Sequence, residues 1–378
     1  MECENMVTKS KKIRIYPNSE QKIIFKKWFA ASRFVYNKTV EHLKDKNNKA
    51  NWINIKLWLL KIVPDWCKTV PFQIKGIAIK DACIAVKNAK INYKKYSKFS
   101  LVKFKSVKNK SESIFITKSA IKKNGIYPTI LGKLIYSEPL PENILDSRLI
   151  FDDGQYFLCV NYASNVKNKS ILGDRVVSLD PGVRTFQTFF SEDSCGKIGK
   201  YSINKIQRLC YHMDNLIGRT ELTTGKKKRR MKKAVLKMRI KIKNLINELH
   251  YKTINFLFYN FDIILLPTFE TSNMVKRGKR KINSKTARQM LTLSHYQFQQ
   301  KIINKSKEVN KKVILTNEAY TSQTASWNGE IVKVGSSKQI KSKGIVMDRD
   351  YNGARGIMLR ALVDTPTKEI LLQNVCLS

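Results

Sequence analysis

Three stretches of the chain carry acids where a backbone element should end or begin. "RVVSLD" is an alternating run that stops at Asp180, and "KKVILTNE" stops in the same way at Glu318. "DRDYNGARGIMLRAL" opens on Asp348 and Asp350 and then takes a helical pattern. Carboxylates brought together repel one another, so such a cluster persists where cations neutralise it. Two Mg²⁺ ions about 3.5–4 Å apart would let it activate water and stabilise the leaving oxygen of a phosphodiester. Magnesium takes hard oxygen ligands and keeps several waters, so no Cys or His is needed. Taken singly, each acid has a plainer reading. "DPG" is a turn former, Asp before Asn-Gly is a cap or turn, and an acid before "AYTSQT" can cap a polar loop.

Zinc is not expected. "YTSQTASWNG" (320–329) has the outline of a zinc knuckle, with a small residue at its turn and a closing glycine, but it holds neither Cys nor His. The seven cysteines include no C-x-x-C pair, and the four histidines are equally scattered. Such spacing does not make a tetrahedral site, and it suits a reducing compartment.

Composition narrows the partner. Lys and Arg number 72 against 29 Asp and Glu, a net charge of +43. That field attracts polyanions, nucleic acid first and an anionic membrane second. No apolar run is long enough to cross a bilayer, and "MECENMVTKSKK" is too polar for a signal segment. With 378 residues, 42% of them apolar, the chain can bury a core and form two or three domains. A basic ribosomal or chromatin protein is usually shorter, with less core.

The elements fall into three regimes. "KKIRIYP" is a short strand; a helix capped by Ser19 follows, with Ile24, Trp28, Ala31, Val35 and Thr39 on one buried face. More helix runs to about residue 97. From about 100 to 172, β-rich pieces such as "ESIFITK", "KLIYSE", "SRLIFDD" and "QYFLCVNYA" alternate with turns, an antiparallel barrel or sheet interrupted by the helices. From 173 the order is three strands, a long basic helical stretch (about 203–259), the buried strand "FDIILLP", the helix "TARQMLTLSHYQFQQKIINKSKEV", a strand and a final helix. That is the outline of a ribonuclease-H-like fold, in which the acids named above meet at one edge of the sheet.

The segments "VVSLDPGVRTF", "EAYTSQT" and "DRDYNGARGI", with "IRIYPNSEQ" and "RFVYN" near the start, resemble the TnpB/Fanzor family of transposon-encoded RNA-guided nucleases, relatives of the type V CRISPR effectors. The resemblance spans almost the whole chain and implies an α+β multidomain architecture. A wedge-type β-barrel (1–18 and 100–172) is interrupted by a helical recognition insert (19–99). A RuvC-like, ribonuclease-H-like α/β nuclease domain (173–378) follows, with a degenerate zinc-ribbon segment at 320–347.

Carried over, the resemblance makes Asp180 the first catalytic acid and metal ligand and Asp350 the last, with Asp348 a capping or surface acid. Most members place a glutamate at the end of the fourth strand, where this chain has Pro267. A branch that includes the Fanzors uses a later glutamate, which Glu318 matches; Glu270 is the alternative middle acid. Ala325, Asn328, Ile340 and Lys343 fall on the four zinc-ligand positions, so packing of Trp327 and Ile331 would have to hold that loop, or it would be mobile. The implied function is RNA-guided DNA endonuclease action with Mg²⁺. The implied partners are a guide RNA from the transposon end and target double-stranded DNA, without membrane or a required protein partner. The missing zinc ligands and Pro267 motivate an alternative, a catalytically inactive nucleic-acid-binding relic; a basic structural RNA-binding protein is a third reading. The expected location is intracellular, nuclear for a eukaryotic host or a viral gene and otherwise cytoplasmic.

Two basic segments are candidate nucleic-acid contacts. "KKKRRMKK" (226–233), with Lys226, Lys227, Lys228, Arg229 and Arg230, suits a nuclear import signal or one face of an RNA-contacting helix. Its apolar continuation "AVLKMRIKIKN" favours the helix. "MVKRGKRKINSKTARQ" (274–289), with Lys276, Arg277, Lys279 and Arg280, could form a lid whose cations touch phosphates. Tyr296 and Phe298 nearby could stack on bases, although aromatics on such a helix are more often core.

Overall fold

The computed structural model describes residues 6–45, 47–97, 100–109, 111–122, 124–165, 173–278, 280, 282–316, 323–333, 335 and 337–364. The chain divides into two compact units, Met1–Asn165 and Val166–Ser378.

The first unit runs β1 (Met6–Ile15), α1 (Ser19–His42), α2 (Trp52–Leu59), α3 (Asp65–Lys68), α4 (Phe72–Tyr96), β2 (Ser111–Ile116), β3 (Ile121–Lys122), β4 (Gly125–Ile126), α5 (Pro128–Leu131), β5 (Ser147–Asp152) and β6 (Gln155–Asn165). Four strands form an antiparallel sheet in the order β1-β6-β5-β2. Alternation buries Ile13 and Ile15 of β1, and Phe25, Trp28 and Val35 of α1 join them in one core with Ile79 of α4 and Leu158 of β6. Barrel closure is not among the described pairings. "KLIYSE" contributes only the bridge Ile15↔Tyr136. Pro139 and Pro141 follow it and offer no N–H for a ladder. The cap of α1 is Asn18 and not Ser19: the Asn18 side chain accepts from the Gln21 amide, and the Gln21 side chain accepts from the Asn18 amide.

The second unit runs β7 (Val176–Pro181), β8 (Gln187–Ser191), β9 (Cys195–Ile198), α6 (Lys200–Glu221), α7 (Gly225–Asn260), β10 (Ile263–Pro267), α8 (Thr271–Met274), α9 (Ser284–Leu293), α10 (His295–Val309), β11 (Lys312–Thr316), β12 (Gln339–Ser342), β13 (Ile345–Asp348) and α11 (Arg349–Asp364). Five strands make a mixed sheet, β11-β10-β7-β8-β9. β10 runs parallel to both β7 and β11, while β7-β8-β9 is an antiparallel meander. Alternation along β7 sends Val177 and Leu179 into the core shared with α6, α7 and α10. Ser178 points the other way, and its hydroxyl donates to the Ala354 carbonyl of α11 at 2.7 Å.

Two expected single helices are each broken in two. The basic stretch folds back at 222–224 between α6 and α7, which lets Ile206 and Met213 share a core with Val235 and Ile242. One continuous helix would have left both apolar stripes without a partner. The second break is at Ser294, whose left-handed backbone (φ 52°, ψ 50°) turns the chain so that Leu293 and His295 are both buried.

Candidate active site

Asp180 lies near the carboxyl end of β7, on the face Ser178 also uses, and α11 packs across that face. Its carboxylate sits against Gly353 in the second turn of α11. A Cβ at Gly353 would come within 2.6 Å of Asp180 Oδ2. Asp350 precedes Gly353 by three residues, so the two share one face of the helix. The structure thus brings Asp180 against the helix face that carries Asp350.

A cation also reaches this place. Across the sheet Asp180 is level with Thr188, and Thr188 with Lys197, so Lys197 shares the face. Its ammonium lies 2.8 Å from Asp348 Oδ2 and 3.1 Å from Asp350 Oδ2. Burial alone would lower the Lys197 pKa, but hydrogen bonds to the two carboxylates outweigh it and hold it above the usual lysine value. For Asp348, burial would raise the pKa, but the ammonium and the Asp350 amide outweigh it and hold the carboxyl below its usual range. Asp348 Oδ1 accepts from the Asp350 amide at 2.9 Å, so Asp348 caps the helix, as expected for it. Lys197 was not singled out in the sequence. Only the β8–β9 register aligns it with Asp180, and nothing in "CGKIGK" announces that register.

The middle acid divides differently. Pro267 pairs with Thr316 of β11, and β10 pairs with β7 as Ile263↔Val176 to Leu265↔Ser178. Continuing that register sets Pro267 level with Asp180. The strand expected to carry the later glutamate does lie beside β10. Glu318 itself lies outside the described residues. Glu270 is exposed, three residues beyond Pro267, and accepts a hydrogen bond from Asn273. Among the described residues no group of three or more Asp, Glu, His or Cys side chains is placed to hold one ion. The carboxylate oxygens of Asp180 and Asp350 are hard donors of the kind Mg²⁺ takes, whereas the Lys197 ammonium is no ligand and neutralises Asp350 in its place.

The knuckle segment is held without thiols or imidazoles, and not as expected. Ile331 is 68% exposed, and Trp327 is half-buried. Two of the zinc-ligand positions instead carry buried apolar side chains, Ala325 and Ile340. At a third, Asn328 donates to the Ser342 hydroxyl at 2.7 Å, and that hydroxyl donates to Glu330. Lys343, the fourth, is exposed at a left-handed turn (φ 48°) between β12 and β13. The knuckle is tied to α11 by Asn352, which accepts from the Ser326 amide at 2.9 Å and donates to the Thr324 carbonyl at 2.9 Å.

The basic candidates lie on the surface. Lys226, Lys227, Arg229 and Arg230 are exposed at the start of α7, and Lys228 pairs with Glu221 at 3.6 Å. That first turn holds no acid, so its cations oppose the helix dipole, an arrangement a bound polyanion would relieve. Lys276 and Arg277 are exposed and Arg280 is half-buried; Lys279 lies outside the described residues. Phe298 is core at 1% exposure, whereas Tyr296 is 65% exposed.

Beneath the β7–β8 turn, Phe186 stacks on His250 and His295, with ring centroids 5.1 and 5.3 Å away. The Leu293 carbonyl lies 2.9 Å from His250 Nε2, and Lys301 donates to Nδ1 at 3.2 Å, which fits a neutral ring protonated at Nε2. Burial, then the Lys301 charge, pushes the His250 pKa down to about 4; burial, then His250, does the same to His295. An imidazole depressed in the fold contributes stability that is complete above its unfolded pKa and is lost as pH falls toward the folded value. Urea unfolding is therefore expected to show a loss on the order of 2–4 kcal/mol between pH 7 and pH 5. A flat profile over that window would contradict the buried neutral pair.

The mixed α/β fold, in two units, is similar to that of a Cas12 effector. A cryo-EM structure of a Cas12f1-sgRNA-target DNA complex superposes with a TM-score of 0.55 at 12% identity, covering 93% of this chain and 99% of that one. The model of a Cas12f1-like TNB domain matches residues 295–357, which include the knuckle and the start of α11. The model of the OrfB IS605 helix-turn-helix domain matches residues 6–49, which here fold as β1 and the single long helix α1. The TnpB-like proteins L770 and R854 of Acanthamoeba polyphaga mimivirus are each 26% identical to it over 390 residues, covering 92% of this chain and 72% and 71% of theirs. The chain is thus similar to TnpB-like proteins over most of its length.

Proposed function

We propose that the protein is an RNA-guided DNA endonuclease of the Fanzor-like branch, encoded by a transposable element and dependent on Mg²⁺. The observation that carries the reading is the seating of the Asp180 carboxylate on Gly353, on the helix face that bears Asp350. The five-strand order supports treating 173–378 as a RuvC-like domain. In this reading Asp180, Asp350 and Glu318 hold the metal, with Glu270 as the alternative middle acid. Bound there, Mg²⁺ would activate water and stabilise the leaving oxygen of a phosphodiester. The chain's own residues do the rest. Ser178 fixes α11 on β7, Asp348 caps the helix, and Lys197 neutralises adjacent carboxylates. The solved Cas12f1 complex contains a guide RNA and target DNA, which supports the same classes of partner here. The cations of 226–230 and 276–280 suit their phosphates.

The absent zinc ligands and Pro267 favour the second reading, a folded nucleic-acid-binding relic that does not cut. One experiment separates them. RNA copurifying with the protein from its native locus is sequenced, and the complex is given matching duplex DNA with Mg²⁺. Cleavage is expected from wild type, with a loss of at least about 10³-fold in Asp180→Ala and Glu318→Ala and little change in Glu270→Ala. No cutting by wild type supports the relic; cutting that survives Glu318→Ala removes it from the metal site.

A further inference from the structure

Between α6 and α9 lies a cavity of about 270 Å³ that no part of the proposed reaction uses. Ile206, Cys210, Tyr211 and Leu293 give it apolar walls, and the amides of Gln207 and Gln289 stand among them. Beside it runs a wider groove of about 600 Å³ lined by Arg277, Arg280 and Ser284. Arg288 and Thr292 line both spaces. Arg288 is held in place by Asp214, 2.5 Å away. On the opposite wall the Gln207 amide donates to the Val183 carbonyl at 3.4 Å. Val183 stands three residues beyond Asp180, so the cavity borders the turn that Asp180 opens.

An apolar slot with a few amides matches a flat ring whose edge carries donors and acceptors. A neighbouring run of guanidinium groups matches phosphates, which they bind bidentately. The two features adjoin and share Arg288, as base and phosphate adjoin in one nucleotide. We propose that the cavity receives an unpaired base of single-stranded DNA while the flanking phosphates lie on Arg277, Arg280 and Arg288. The proposal rests on nucleic acid being the partner; it does not rest on the chemistry at Asp180.

The test uses the full chain without Mg²⁺ and two single-stranded probes about ten nucleotides long. One is oligodeoxythymidylate. The other is abasic throughout, with the same phosphates and no bases. By fluorescence anisotropy, wild type is expected to bind the thymidylate about tenfold more tightly, the scale of one stacked base. Gln289→Trp, which fills the mouth, and Tyr211→Ala, a substitution at an exposed wall, should each remove most of that preference and leave abasic binding unchanged. Arg288→Ala should weaken both probes alike. Melting curves verify that the variants fold. Alkylation of Cys210, read by peptide mass spectrometry, should slow with thymidylate bound and not with the abasic probe. Full base preference in both pocket variants, or undiminished Cys210 reactivity, overturns the proposal. If wild type binds neither probe, the nucleic-acid reading falls with it. Failed cleavage with the base preference intact counts against the catalytic reading alone.

Discussion

Gly353→Ala is expected to separate stability from activity. Alanine is the better helix former by about 1 kcal/mol, so the substitution should leave the melting temperature unchanged or slightly raised. The new methyl group would lie 2.6 Å from Asp180 Oδ2, however, and the carboxylate must swing away. An acid displaced by about 1 Å at a site built on positioning loses on the order of 10²-fold in rate. The measurement is cleavage of target DNA by the guide-loaded complex beside a thermal melt of the same preparation. Unchanged cleavage would show that the position Asp180 takes against α11 is not the reactive one. The substitution is small and conventionally helix-stabilising, so a loss of this size could not be assigned to unfolding.

Asn352→Leu acts on the neighbouring residue with the opposite signature. Asn352 is fully buried and satisfies the Ser326 amide and the Thr324 carbonyl together. Leucine has similar bulk but leaves both backbone groups without that partner, and each such loss costs about 1–3 kcal/mol. A destabilisation of roughly 2–4 kcal/mol is expected in denaturant unfolding, with faster proteolysis within 323–332. Asn352→Asp, which can still accept from Ser326, should fall between wild type and leucine. Equal stability of all three would mean that the knuckle is held by its apolar contacts alone. The neighbours in "DYNGA" thus differ: Asp350 places a carboxylate beside Lys197, Asn352 fastens the knuckle, and Gly353 makes room for the Asp180 carboxylate of β7.

Much of this arrangement was legible in the sequence. Strand-end acids, the fully apolar "IILLP" and the order of elements after residue 173 identify a sheet whose carboxyl edge carries Asp180. The role of Asp348 as a cap followed from its place two residues before Asp350. What could not be read depends on register. Lys197 meets Asp350 because two antiparallel pairings set it level with Asp180, and no periodicity encodes which residues of separate strands align. The helix breaks at 222–224 and Ser294 were missed because apolar spacing continues through both; the backbone turns where tertiary burial rewards it, at residues with only weak local preference. The knuckle was misjudged for a related reason. A large side chain such as Ile331 looks like the natural anchor, yet the small Ala325 fits the interior of a tight turn and Ile331 faces solvent.

The apolar pair Ala325 and Ile340 has a consequence for where the protein can operate. A thiolate–metal module opens when peroxide oxidises its sulfurs or when the available metal runs low. A turn closed by a methyl group, a sec-butyl group and an Asn–Ser–Glu relay has no sulfur to oxidise and no ion to lose. This element should therefore keep its shape under oxidative stress and metal starvation alike.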